Sequence, residues 1–162
     1  ADVAGFMVGK AVEQQGIAKH GAQFITAMCA ADVPKYTLIT GGCYAASYLA
    51  MCGRPFKPNA LMMWPSGRSA LMGPEQAATT LAMVKDNIHE REGTCWTDAE
   101  REEFKKPIRK SFEEFANAYN FARNLWCDMV IDPLETRDVI ALLLDLAGRT
   151  PAKETRFGVF RM

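Results

Sequence analysis

The run Tyr36-Thr37-Leu38-Ile39-Thr40, closed by Gly41-Gly42 and followed by the alanine-rich stretch from Tyr44 to Met51, constrains this chain more than any other feature. A β-branched and aromatic run of that length, punctuated by paired glycines, reads as a short buried strand. Helix resumes at Tyr44, so strand and helix are joined by a tight turn. The apolar faces of such a strand must be covered by helices, which asks for an α/β layered architecture.

The rest of the chain repeats the alternation. Ile17, Gly21, Phe24 and Met28 recur at helical spacing beside a second row of Ala18, Ala22, Ile25 and Cys29. This predicts a helix between Lys10 and Ala31 with a broad buried face, stopped by Pro34. Leu61-Met62-Met63-Trp64 and Ser69-Ala70-Leu71-Met72 predict two strands around a turn at Pro65 and Gly67. Pro74, with Glu75 after it, opens a helix continued by Ala77, Leu81 and Val84. Thr97 and Glu100 have the spacing of a capping box and open a charged helix that Pro107 should kink or break. Met129-Val130-Ile131 predicts a strand, and Pro133 leads a last helix through Leu142 and Leu146 to Gly148. Ala1 to Gly9 reads as an apolar strand already under way, as though cut from something longer.

Charge and cysteine usage narrow the partners. Nineteen basic side chains balance nineteen acidic ones, so no net field favours nucleic acid or an anionic membrane. No run approaches the ~18 apolar residues of a membrane span. Five cysteines without a C-x-x-C pair fit a reducing compartment, and neither His20 nor His89 is paired with other metal ligands, so no metal site is expected.

Gly41-Gly42-Cys43-Tyr44-Ala45-Ala46-Ser47-Tyr48, followed by Met51-Cys52-Gly53-Arg54, resembles the carboxyltransferase β subunits of biotin-dependent acyl-CoA carboxylases, the methylcrotonyl-CoA branch above all. Further matching stretches are Gly5 to Gly9, Gly16 to Lys19, Trp64-Pro65, Met72-Gly73, Glu75 to Ala78, Ile131 to Pro133, Thr136-Arg137 and the terminal Phe157 to Met162, so the resemblance runs from end to end. It implies a crotonase-like ββα superhelix, with residues 1–162 forming the C-terminal carboxyltransferase domain, incomplete at its N-terminus. It also implies transfer of CO2 from carboxybiotin to an acyl-CoA, 3-methylcrotonyl-CoA of leucine catabolism in that branch. Biotin would arrive on a biotin carboxylase/biotin carrier α subunit, and β subunits would assemble as a homo-oligomer, a hexamer in the family. The compartment would be the mitochondrial matrix in a eukaryote and the cytoplasm in a bacterium.

The chemistry needs oxyanion stabilisation, because loss of CO2 leaves negative charge on the ureido oxygen of biotin. Preorganised amides at a helix start suit this, each donor contributing about 3 kcal/mol. Carried over from the family, the backbone donors are Ala46 and Ser47, with Gly41, Gly42, Tyr44 and Ala45 on the biotin side. The family pattern is Gly-Gly-Ser-Tyr-Gly-Ala-Gly, whereas Cys43, Ala45 and Ser47 stand here at its third, fifth and seventh places. A glycine used there for positive φ would be obstructed by a β-carbon.

Other readings stay open on the residues alone. The glycine motif also suits a packed strand-to-helix turn, and Cys43 could be a thiolate nucleophile or a small buried thiol. Arg54, Arg68 and Arg137 read as solvated or ion-paired, and Trp64, Trp96 and Trp126 as core or interface. A crotonase-like hydratase, isomerase or decarboxylase would need a pocket carboxylate, and none occurs from Gly41 to Arg54. A non-catalytic divergent or truncated subunit would accommodate the Ala45 and Ser47 departures.

Overall fold

The computed structural model describes residues 1–151 together with 154 and 158, so the terminal match from Phe157 to Met162 falls, Gly158 apart, outside the described residues. Its organising feature is a strand pair followed by a helix, used repeatedly. Strand β1 (Tyr36–Ile39), strand β2 (Gly42–Tyr44) and helix α3 (Ala45–Ala50) form one such unit; β3 (Ala60–Met63), β4 (Arg68–Ala70) and α4 (Pro74–Glu92) form the next. The first strands stack in parallel with β5 (Met129–Val130) in the order β1-β3-β5, while β2 pairs in parallel with β4 in a second sheet. Between β4 and β5 the chain runs out through α4, α5 (Asp98–Ala116) and α6 (Ala118–Arg123), and α7 (Thr136–Gly148) follows β5 after a short 3-10 turn at Pro133–Glu135.

Burial explains which runs became strands. Every residue of β3 is buried, as expected for a parallel strand covered on both faces. Ile39, Leu61 and Met63 meet Cys43 of the second sheet and Ala118, Phe121 and Cys127 in one core. Thr37 is buried in β1, and its hydroxyl donates to the carbonyls of Met51 and Cys52 at 3.1 and 3.0 Å, which anchors the end of α3 to the sheet.

The α4 and α5 pair is held by ions as well as apolar contact. Glu75, in the first turn of α4, accepts from Arg109 and, at 3.1 Å, from Lys105, two α5 residues on either side of Pro107. These contacts flank the position where proline removes a helical donor, and α5 continues unbroken through Pro107. The capping box forms as its spacing predicts, with Thr97 N–H donating to Glu100 at 2.7 Å and Glu100 N–H donating to the Thr97 hydroxyl at 3.3 Å.

Three expectations are corrected. The first residues are not a strand: only Val3 pairs, in parallel with Cys43, and the positive φ of Gly5 and Gly9 turns the chain before α1 (Lys10–Gln14). The helix expected from Lys10 to Ala31 is divided at Gly16, whose φ of +83° ends α1 and caps α2 (Ile17–Ala30), and α2 buries none of its residues. The two strands expected around the turn at Pro65 and Gly67 do form, as β3 and β4, and they enter different sheets. Gly42-Cys43-Tyr44 is itself a strand, so the helix begins only at Ala45.

Candidate functional site

Strand β2 passes into helix α3 with almost no connection. Tyr44 is extended, Ala45 adopts φ +50°, and helical geometry follows. A left-handed residue lets the chain reverse from strand to helix within one step, a conformation that costs an L-residue roughly 1–2 kcal/mol. No side chain caps α3. Instead the buried Ser47 hydroxyl donates back to the Tyr44 carbonyl at 2.5 Å. The first amides of a helix have no acceptor within it. Those of Ala46 and Ser47 find none elsewhere among the described residues.

Ala45 and Ala46 are exposed, and both border an open cavity of about 400 Å³ whose remaining walls are apolar. Leu71, from just beyond β4, and Phe115, Phe121 and Trp126, from the α5–α6 region, supply much of that wall. Trp126 packs on Phe121 with ring centroids 5.2 Å apart at 76° and on Phe115 at 5.6 Å, while Phe121 meets Tyr48 edge-on at 6.3 Å. Such arrangements are favoured by the ring quadrupoles and hold the wall rigid. A cavity of about 460 Å³ bordered by Asp32, Val33, Asn59 and Gly148 shares no residue with α3.

The six residues expected at the site separate spatially. Ala45 and Ala46 come together at the aromatic cavity. Ser47 is buried beside a smaller cavity of about 240 Å³ bordered by Val3, Phe6 and Phe24. Gly41, Gly42 and Tyr44 border neither. Gly42 N–H donates to the Asp2 carboxylate at 2.8 Å, a β-carbon on Gly41 would collide with that carboxylate, and one on Gly42 would lie 2.8 Å from the Tyr44 ring. These two glycines therefore permit close approach of the N-terminal segment and the Tyr44 ring. Burial raises the Tyr44 phenol above its ordinary pKa, so the side chain stays neutral.

Cys43 is fully buried, and burial pushes its thiol up, which leaves it protonated rather than nucleophilic. The histidines do not serve it: His20 contacts Gln23 at 3.4 Å and His89 contacts Thr94 at 2.6 Å. No group of three or more potential metal-ligating His, Cys, Asp or Glu residues occurs among the described residues. Arg54 is committed within the fold, donating from Nε to the Trp126 carbonyl at 3.3 Å and from Nη2 to Asp128 at 2.9 Å. Sequence reasoning missed the aromatic wall, whose members lie far from the glycine motif along the chain. Trp126, expected in core or interface, was its one visible signal.

The chain matches the carboxyl transferase domain family over residues 1–159. It is 47% identical over 161 residues to the biotin-dependent 3-methylcrotonyl-coenzyme A carboxylase beta1 subunit of Mycobacterium tuberculosis, covering 99% of this chain and 30% of that protein. It is 45% identical to the mitochondrial methylcrotonoyl-CoA carboxylase beta chain of Arabidopsis thaliana, with 99% and 27% covered. Among solved structures it is similar to the β subunit of Pseudomonas aeruginosa geranyl-CoA carboxylase, with TM-score 0.82 and 34% identity over 99% of this chain and 30% of that one. It is also similar to the transcarboxylase 12S core, with TM-score 0.77 and 31% identity over 100% of this chain and 29% of that one. The chain thus spans about 30% of the length of the relatives it matches.

Proposed function

This chain belongs to the carboxyl transferase domain family and has its crotonase-like ββα fold, and from that premise we propose that it forms the biotin-side half of a carboxyltransferase site moving CO2 from carboxybiotin to an acyl-CoA. The observation that carries the reading is the open apolar cavity against the start of α3, where Ala45 and Ala46 are exposed and the Ala46 amide has no acceptor among the described residues. A group with one polar, charge-developing end and an otherwise apolar body fits such a lining. When bound, carboxybiotin supplies the CO2 and, once it has left, the base that deprotonates the acyl group.

The chain's own contribution is electrostatic and positional. The Ala46 amide, which borders the cavity, donates to the oxygen on which charge grows and needs no reorganisation. The Ser47 amide behind it is the second donor expected from the family and is buried beside the smaller cavity. Ser47 Oγ already has an acceptor in the Tyr44 carbonyl, so it fixes the turn that carries its amide. The aromatic wall gives that oxygen an apolar surround on one side. No carboxylate of this chain occurs between Gly41 and Arg54 to act as general base.

The acyl-CoA is 3-methylcrotonyl-CoA in this reading, supported by the names of the relatives from Mycobacterium tuberculosis and Arabidopsis thaliana. Biotin is carried by a partner α subunit that also bears the biotin carboxylase, and the β subunits associate as a hexamer. Residues 1–162 act as the C-terminal carboxyltransferase domain, with the CoA cradle supplied by a further domain. The mitochondrial matrix or the bacterial cytoplasm houses it, according to source.

The deciding experiment is carboxyl transfer by the complete subunit carrying Ala46→Pro, which deletes one donor, with Ala46→Ser as control. The proline variant should fold by circular dichroism and lose turnover by about a hundredfold or more with little change in acyl-CoA KM. Normal turnover by the folded proline variant would refute the donor assignment. Residues 1–162 alone should carboxylate no acyl-CoA, and measurable turnover would end the half-site reading.

A further inference from the structure

Among the described residues four non-glycines have positive φ, namely Ala45, Cys52, Lys57 and Leu125. Cys52, Lys57 and Leu125 each follow a helical turn, and their amides donate to the Leu49, Arg54 and Ala122 carbonyls, the ordinary left-handed close of a helix. Ala45 alone opens a helix, with φ +50°, and no closing bond of that kind accounts for it. Backbone strain of this sort persists only where the surrounding structure over-determines it.

Two buried hydroxyls do this here. Ser47 Oγ donates to the Tyr44 carbonyl at 2.5 Å, and Ser69 Oγ, from the facing position of β4, donates to the Cys43 carbonyl at 2.7 Å. Two consecutive peptide planes ahead of Ala45 are thereby held, one from α3 and one from the sheet. The Ser47 bond closes a ring through the backbone of Ala45 and Ala46. Neither the φ of Ala45 nor the direction of the Ala46 N–H can change without straining or breaking that bond. Ser47 and Ser69 are 1% and 2% exposed, so water is not at hand to replace either bond.

Resting on the carboxyltransferase reading above, we propose that Ser47 and Ser69 are positioning residues, whose hydroxyls hold the Ala45 turn and with it the Ala46 amide at the cavity. Both hydroxyls are committed to carbonyls and act through the backbone. Glycine at position 45 would adopt the same φ without strain and would need no clamp. With alanine there, loss of a clamp bond lets the turn relax toward negative φ, and the Ala46 N–H swings away from the place where charge grows. A preorganised donor is effective only in its place, so a small swing lowers turnover and leaves acyl-CoA binding nearly as it was. The alanine at 45 and the serine at 47, the two places where the family pattern has glycine, are on this account a coupled pair.

The test uses the complete β subunit and measures kcat and acyl-CoA KM for carboxyl transfer from a carboxylated acyl-CoA to free biocytin, together with the urea midpoint. Ser47→Ala and Ser69→Ala should each lower kcat about fivefold to tenfold, the scale of one hydrogen bond, and leave acyl-CoA KM within about twofold. Adding Ala45→Gly to either variant should bring kcat back to within about twofold of Ala45→Gly alone, the mark of coupled residues. Ser69 also borders the cavity, so this recovery separates action through the turn from action on a bound group. Midpoints that fall while kcat stays unchanged overturn the proposal, and the donor assignment still stands if Ala46→Pro is inactive. A kcat loss that Ala45→Gly does not recover overturns it too. If folded Ala46→Pro transfers carboxyl at the normal rate, the donor reading falls and takes the proposal with it. Ser69 lies on β4, outside the turn, so its variant decides the matter even where Ser47→Ala does not fold.

Discussion

Replacing Ala45 with glycine should stabilise this protein, although the residue is exposed and the change removes a methyl group. Ala45 has φ +50°, where an L-residue pays roughly 1–2 kcal/mol that glycine does not. Against this stands the extra freedom that glycine gives the unfolded chain, worth about 0.4–1 kcal/mol. Little burial is lost with an exposed methyl, so the balance is a gain of about 0.5–1 kcal/mol. Its neighbour Ala46 is the internal control. It is also exposed, lies one residue further into α3 and has no positive φ, so Ala46→Gly should cost about 0.5–1 kcal/mol. Urea unfolding of the two variants beside wild type measures both, and midpoints that move in opposite directions are the expected result. For a chain of this size the gain corresponds to about 1–4 °C in Tm. A destabilised Ala45→Gly, matching Ala46→Gly, would refute the assignment of strain to this turn.

Three further outcomes follow from the geometry. Hydrogen bonds from Arg109 and then Lys105 lower the Glu75 carboxyl from its ordinary range to about 2, so its stabilising contribution is complete above pH ~4.5. That contribution declines as pH falls towards 2, and the urea midpoints of wild type and Glu75→Gln should converge over this window; a constant gap would contradict it. Thr97→Ala removes the acceptor of the capping box and should cost about 1 kcal/mol, read by the same unfolding assay. A thiol reagent at pH 8 should modify the exposed Cys29 and Cys95 in the native protein and reach buried Cys43, Cys52 and Cys127 only after denaturation, as peptide mass mapping would show.

The elements legible in the sequence are those whose local signals agree with their tertiary setting. Tyr36 to Ile39, the Thr97 box and the Pro74 start each combine pattern with turn or cap chemistry, and each formed where expected. The row of Ile17, Phe24 and Met28 was legible as a helix but not in its surroundings: the periodicity states which face is apolar, and here nothing in α2 reaches full burial, with Phe24 53% exposed. Gly42 to Tyr44 was missed because a three-residue strand has no periodicity to read, and only its pairing with β4 defines it. The site divides along the same line. Ala45 and Ala46 could be placed together from sequence because the strand-to-helix turn is local. The wall of Leu71, Phe115, Phe121 and Trp126 depends on α5 and α6 folding back toward β4, which bridges Arg68 to Asn117, and no short window of sequence contains that contact. The departure from glycine at position 45 joins the two levels. A substitution visible as a letter change has physical meaning only once the backbone is known, since the same alanine would be unstrained at ordinary φ and is strained at +50°. The fold therefore demands the turn geometry whichever residue occupies it, and the start of α3 is positioned by β2 and the sheet beneath it rather than by the preference of Ala45 itself.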